Sequence, residues 1–264
     1  MKESRVASIS FVGTVWKTRV IILMACFTLL VLTTAADAFA QGQVAVERHI
    51  GSQGPERYYP EWLAEAPYTP AFYAKDTMHK YGRYDSEAKQ ITIKDLIKFH
   101  GHLCGGLVEA SCALSLALQE LFEDGIIDRT DLRIVSNNSA CGADVASYLT
   151  GARVRFASHS IDKQLKGGGF VVQRISKGQT VRVWRNPAVY PTEVKAQMKK
   201  IQSEAFGSED IDLFGRLQWG YAKRLVNNPL KESFFVEKIP NYQWPEPICK
   251  DLGDRTDNNY KNAP

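Results

Sequence analysis

Thr92-Ile93-Lys94-Asp95-Leu96-Ile97-Lys98-Phe99-His100-Gly101-His102-Leu103-Cys104-Gly105-Gly106-Leu107 changes the character of the chain twice. Thr92 and Asp95 have the spacing of a capping box, and Ile93, Leu96 and Ile97 follow on one face, which predicts a short helix ending near Phe99. Glycines at 101, 105 and 106 then open a turn. Beyond it, Leu107, Ala110, Leu114, Ala117, Leu118 and Leu121 recur at three- and four-residue steps, the mark of a helix with a buried side, stopped at Asp124-Gly125.

The turn concentrates unusual chemistry. His100, His102 and Cys104 alternate with other residues, and an extended or turning backbone aims such positions to one side, where a helix would spread them. Two imidazoles and a thiolate together suit a soft or borderline cation. Downstream, Leu132 to Ser136 reads as a strand that feeds, through Asn137-Asn138-Ser139, a helix from Cys141 to Thr150 closed by Gly151. Cys104 and Cys141 therefore each stand at the start of a helix, where the positive end of the dipole eases ionisation of a thiol. Asp144 lies three residues past Cys141 and points the same way on a helix; its carboxylate can orient a ligand histidine, act as a base, or simply favour the helix N-terminus. Three readings of the cluster stay open: a metal held by His100, His102, Cys104 and Cys141, a Cys104–Cys141 disulfide, or reduced structural thiols. Cys112 falls about two turns beyond Cys104 and belongs to the core.

Further out, Arg153 to Ala157 is a candidate strand, and Phe170 to Ile175 and Thr180 to Arg185 are β-rich runs joined as a hairpin by Ser176-Lys177-Gly178-Gln179. Thr192 can cap a helix from Glu193 to about Phe206, and another spans Leu213 to Val226 before Asn227-Asn228-Pro229 breaks it. The tail, with Pro240, Pro245, Pro247 and Cys249, reads as irregular. Strands mixed with helices predict an α+β fold. His159 is either a substitute ligand or solvent-facing. Arg153, Arg155, Lys163 and Lys166 form a solvated face or attract an anion. Gly167-Gly168-Gly169 is a flexible turn, because no strand precedes it and no Gly-Lys-Ser/Thr follows.

Upstream, residues 41–91 crowd Tyr58-Tyr59-Pro60, Trp62 and Pro67-Tyr68-Thr69-Pro70 without helical periodicity. Rings that large do not stay in water, so the segment is expected to form an arm or lid along the core or a partner subunit. The first forty residues read as an address. Lys17 and Arg19 precede the uncharged run Val20 to Ala36, and Ala38-Phe39-Ala40 supplies small residues for a cut near Ala40, the pattern of a secretory signal peptide. The run's seventeen residues sit at the lower edge of bilayer span, so a retained anchor is the alternative. Cleavage would leave 264 less 40, or 224 residues, secreted or periplasmic, with Cys104, Cys112, Cys141 and Cys249.

The 264 residues are 44% hydrophobic and 23% charged, enough for one sizeable core and outside the range of disordered or fibrous chains. Of the formal charge of +4, Lys2, Arg5, Lys17 and Arg19 against Glu3 and Asp37 contribute +2, leaving +2 for the remainder. That balance gives no electrostatic reason for a nucleic-acid partner. The resulting organisation is an address over 1–40, an aromatic arm over 41–91, a core domain over 92–190, and a helical and irregular extension over 191–264.

Phe99-His100-Gly101-His102-Leu103-Cys104-Gly105-Gly106-Leu107, then Cys141-Gly142-Ala143-Asp144, then Thr150-Gly151, resembles FmdE, a family named for formylmethanofuran dehydrogenase, over about residues 92–185. The family pattern is Phe-His-Gly-His-x-Cys-Pro-Gly, Cys-x-x-Asp-Ala and Thr-Gly-Cys-Thr. The resemblance implies a thioredoxin-like core, a mixed sheet flanked by helices, commonly as a homodimer, with a site that can hold zinc at His100, His102, Cys104 and Cys141 and with Asp144 beside it. The chain departs from the pattern at Gly105, where the family has proline, and at Ala152, where it often has cysteine. No cysteine-rich finger can follow, since only Cys249 lies beyond Cys141. An exported chain does not serve as a component of a cytoplasmic enzyme, so the resemblance implies the site and not the pathway.

Three functions are expected to compete. The first is a metal-binding protein, for zinc or another transition metal. The second is an enzyme whose ion keeps an open position, acting on an unidentified small molecule with Asp144 as proton acceptor. The third is a thiol-redox or haem-binding protein using the same pocket, with covalent c-type haem excluded because no Cys-x-x-Cys-His occurs.

Overall fold

The structure, a computed structural model, describes residues 58–79, 83–165, 167–203 and 206–246. The expected signal peptide or anchor, the start of the arm and Cys249 lie outside these residues. Among the described residues no helix is long and apolar enough to cross a membrane.

The predicted short helix is α2 (Ile93–His100). The Asp95 carboxylate accepts hydrogen bonds from the Thr92 N–H (2.9 Å) and hydroxyl (2.8 Å) at its start. Gly101, at φ +98°, ends it in the left-handed conformation that glycine adopts without a Cβ penalty. Ile93, Leu96 and Ile97 are all buried, as their spacing requires. The next helix, α3 (Gly105–Leu121), is buried on nearly every face up to Leu118. Its hydroxyls are satisfied locally: Ser111 donates to the Leu107 carbonyl and Ser115 to that of Cys112, each at 2.8 Å. Leu107 and Leu114 have no exposed surface, and truncating either to alanine removes about 2–5 kcal/mol of stability.

A helix buried all round must be covered on several sides. One cover is a five-stranded sheet formed by β4 (Leu132–Ser136), β5 (His159–Ile161), β6 (Phe170–Arg174), β7 (Gln179–Arg185) and β8 (Phe234–Lys238) in the order β5-β4-β6-β7-β8. Only the β4–β5 pair is parallel. The others are helices α4 (Ala140–Thr150), which follows β4, and α6 (Ser208–Asn227). Helix α5 (Thr192–Gln202) packs on α6. The fold is therefore α+β, with mixed sheets flanked by helices.

Several segments differ from the sequence expectation. The aromatic arm, where described, contributes a single helical turn α1 (Glu61–Ala64) and two strands, β1 (Ala71–Lys75) and β2 (Lys89–Thr92). With β3 (Ile126–Asp128) these make a second sheet in the order β2-β1-β3. Phe72 and Ala74 alternate inward from β1, a period-two signal too short to stand out after the Pro67-Tyr68-Thr69-Pro70 run. Arg153 to Ala157 is no strand: Val154–Phe156 is a single 3₁₀ turn ending at Ala157 in the left-handed region, φ +51°. Helix α5 stops at Gln202, short of Phe206. Finally, the C-terminal segment is no mere extension, since β8 joins the main sheet as its edge beside β7. Strand pairing between Val181–Arg185 and Phe234–Lys238 leaves no local trace.

Candidate metal and thiol site

Three helix ends build the site. His100 is the last residue of α2, Cys104 is the N-cap of α3, and Cys141 lies in the first turn of α4. The Cys104 Sγ accepts the Leu107 N–H at 3.4 Å, taking the place that a serine oxygen commonly fills at a helix start. It also lies 3.4 Å from the Cys141 Sγ and 3.7 Å from the His100 Nε2. Neither thiol is bridged. The His100 Nδ1 is 2.7 Å from the Asp144 Oδ2, so a carboxylate holds one ring nitrogen and leaves the other turned to the sulfurs.

Gly106 makes the sulfur approach possible. A Cβ at that position would lie 3.1 Å from the Cys141 Sγ and 3.3 Å from its Cβ, so any side chain there would push the sulfur aside. Gly105 is similarly confined, 3.1 Å from the Gln218 carbonyl oxygen of α6. The paired glycines thus serve close packing between α3, α4 and α6 more than the freedom of a turn.

The electrostatics separate the two thiols. A hydrogen bond from Cys141 lowers the Cys104 pKa to about 7 against the opposing effect of burial, and the N–H groups of Leu107 and Gly106 assist. Cys141 moves the opposite way, raised by donating that hydrogen bond, by burial and by the charge on Cys104, with His100 opposing. One thiolate is therefore stabilised at the N-terminus of α3 and one proton is retained on Cys141.

His100, His102 and Cys104 place one ligand atom each within 4.8 Å of one another. The His102 ring packs on that of His100 with centroids 4.5 Å apart, and it is exposed. Cys141 is outside that group and reaches it through the Cys104 contact, with Asp144 behind His100. Two other sequence candidates stand elsewhere. Cys112 is wholly buried in α3, as its spacing predicted. His159 is neither a ligand nor solvent-facing: it is buried in β5 between the Ser136 Oγ (2.8 Å) and the Ser147 Oγ (3.2 Å), and burial lowers its pKa to about 4.

Sequence reasoning missed a cavity of about 630 Å³ that shares Gly105, Gly106 and Gly142 with the site. Glu109 and Arg185 face each other in its wall, with Tyr190 and Tyr221 beside them. A lone charge at 109 inside the apolar run of α3 was the available signal; its partner lies 76 residues away.

Known proteins share parts of this arrangement. The family described as "FmdE, Molybdenum formylmethanofuran dehydrogenase operon" matches residues 99–235, a span that reaches from the histidine turn into β8. A solved structure of a tungsten formylmethanofuran dehydrogenase FmdE-like protein from Syntrophus aciditrophicus is similar, at 12% identity and a TM-score of 0.37, covering 56% of this chain and 72% of that one. No curated protein matches the chain.

Proposed function

The chain belongs to the FmdE family, and from that premise we propose that it binds a transition metal, zinc or an ion of similar preference, through His100, Cys104 and Cys141 with His102 as the fourth donor. One observation carries the reading: the Cys104 sulfur touches both the Cys141 sulfur (3.4 Å) and the His100 Nε2 (3.7 Å), while Asp144 holds the far side of the same ring. The donor set fits the ion. Two sulfurs and imidazole nitrogen are the ligands zinc prefers, and a carboxylate behind a ligating histidine is its usual support. The lowered pKa of Cys104 favours the deprotonated form a ligand needs.

Within this reading the residues divide the work. Cys104 and Cys141 anchor from the two helix starts, and Asp144 orients His100, a role that occupies the oxygen a base would use. His102, being exposed, sits where a small molecule would exchange with solvent. Zinc at such a place supplies a Lewis acid.

Elemental analysis of the purified protein beside Cys104→Ser and Cys141→Ser tests it. We expect about one equivalent of metal in the parent and loss in both variants; a reduced parent that neither carries nor takes up metal refutes it. A second reading is favoured by the same sulfur contact. Two unbridged thiols at 3.4 Å, one with its pKa near 7, are poised to give up two electrons and two protons to an oxidant and form a disulfide. Free-thiol counts on the same samples separate the two, since metal binding keeps both sulfurs reduced.

A further inference from the structure

Buried charge is costly, and a buried ion pair seldom offsets its own desolvation, so one placed in a cavity wall asks for a reason other than stability. Glu109, in the second turn of α3, is 6% exposed. Its two carboxylate oxygens accept from the Arg185 Nη1 at 2.6 and 2.8 Å, and the Tyr221 hydroxyl donates to Oε2 at 2.9 Å. The carboxylate is fully engaged. Arg185 is not: of its five N–H groups, those on Nη1 serve Glu109, and the buried Nε has no partner among the described residues.

Arg185 is also held in place. Its guanidinium lies 4.0 Å over the Tyr190 ring, and its main-chain N–H donates to the Gly167 carbonyl at 3.0 Å. Gly167 and Gly168, at φ +66° and +62°, carry the chain so close to Glu109 that a Cβ at Gly168 would collide with Oε1. The glycine run that resembles no phosphate loop thus closes over this ion pair. Among the described charged residues lining the cavity, Glu109 contributes −1 and Arg185 and Lys195 +1 each, a net +1. The remaining walls combine apolar Ala110, Phe170, Val194 and Met198 with polar Asn137, Ser139, Thr192 and Gln218. At about 630 Å³ the space is that of a small-molecule site.

We propose that this cavity binds a small organic monocarboxylate, its charged end at Arg185 and its apolar body against Phe170, Val194 and Met198. The guanidinium of Arg185, only part of which serves Glu109, matches a carboxylate. Glu109 and Tyr221 are positioning residues, acting through Arg185. The inference does not depend on the metal, whose proposed donors do not line this cavity.

The test is calorimetric titration of the purified protein with three matched pairs: benzoate and benzamide, hexanoate and hexanamide, 3-phenylpropionate and 3-phenylpropionamide. At least one carboxylate is expected to bind at least about tenfold more tightly than its amide, the difference a charge-assisted contact makes. The double variant Glu109→Gln/Arg185→Gln, which swaps both charges for amides and leaves no unpaired ion, should lose that preference while keeping its metal content. Should it fail to fold, Met198→Trp, which fills the cavity from the half-buried side of α5, should abolish carboxylate binding instead. Equal affinity for acid and amide, no carboxylate binding below about 10 mM, or a preference that survives either folded variant overturns the proposal.

Discussion

His159 offers a quantitative check on the fold around β4 and α4. The perturbation is acid. Burial in β5, at 4% exposure, lowers the imidazole pKa from 6.5 to about 4, because the charged ring would lose water and gain only two serine hydroxyls. Between those two values the unfolded chain binds a proton that the native chain excludes, so this group makes stability rise with pH. Its contribution is present in full above the unfolded pKa and falls as the pH drops through that window. At pH 5 the unfolded histidine is almost wholly protonated and the native one hardly at all. About 1.5 pH units of the difference have then been crossed, and at about 1.4 kcal/mol each this amounts to about 2 kcal/mol lost between pH 7 and pH 5. Urea unfolding of the parent and of His159→Gln at both pH values isolates it, since every other titrating group is common to the two proteins. The variant is expected to be less stable at pH 7, through imperfect pairing of Ser136 and Ser147, yet to decline by about 2 kcal/mol less on acidification. Equal declines would refute the reasoning, showing that the ring is hydrated or charged in the native state.

Two further outcomes follow from the site. Asp144→Asn keeps the shape but weakens the support of His100, and metal affinity should fall by about ten- to hundredfold in a competition assay with a chelator; because the Asp144 side chain is 39% exposed, melting of the metal-free protein should hardly change. Gly106→Ala should weaken binding: overpacking between α3 and α4 opposes the about 0.5–1 kcal/mol that the better helix former offers, and a methyl 3.1 Å from the Cys141 Sγ displaces a donor whose placement must hold to about 0.2 Å. An unaltered metal affinity in that variant would remove Cys141 from the ligand set.

Much of the helical framework was legible in the order of residues. Thr92 and Asp95 fix the start of α2 and Gly101 its end through bonds made within one turn, and the apolar spacing of α3 and α4 is equally local. The hairpin of β6 and β7 was legible for the same reason, its partners lying a few residues apart. Strand β8 and the sheet containing β1 were not, because the pairings of β8 with β7 and of β1 with β3 join segments far apart in sequence.

The sequence by itself determined that imidazoles and thiols would be gathered at helix ends, since glycine placement and caps are local properties of the backbone. Only the tertiary structure decided which of them meet. The approach of Cys141 to Cys104 depends on α3 and α4 packing closely enough at Gly106, and the pairing of Glu109 with Arg185 depends on a strand end reaching the second turn of a buried helix. Both are products of side-chain volume filled in three dimensions, which no periodicity along one chain encodes.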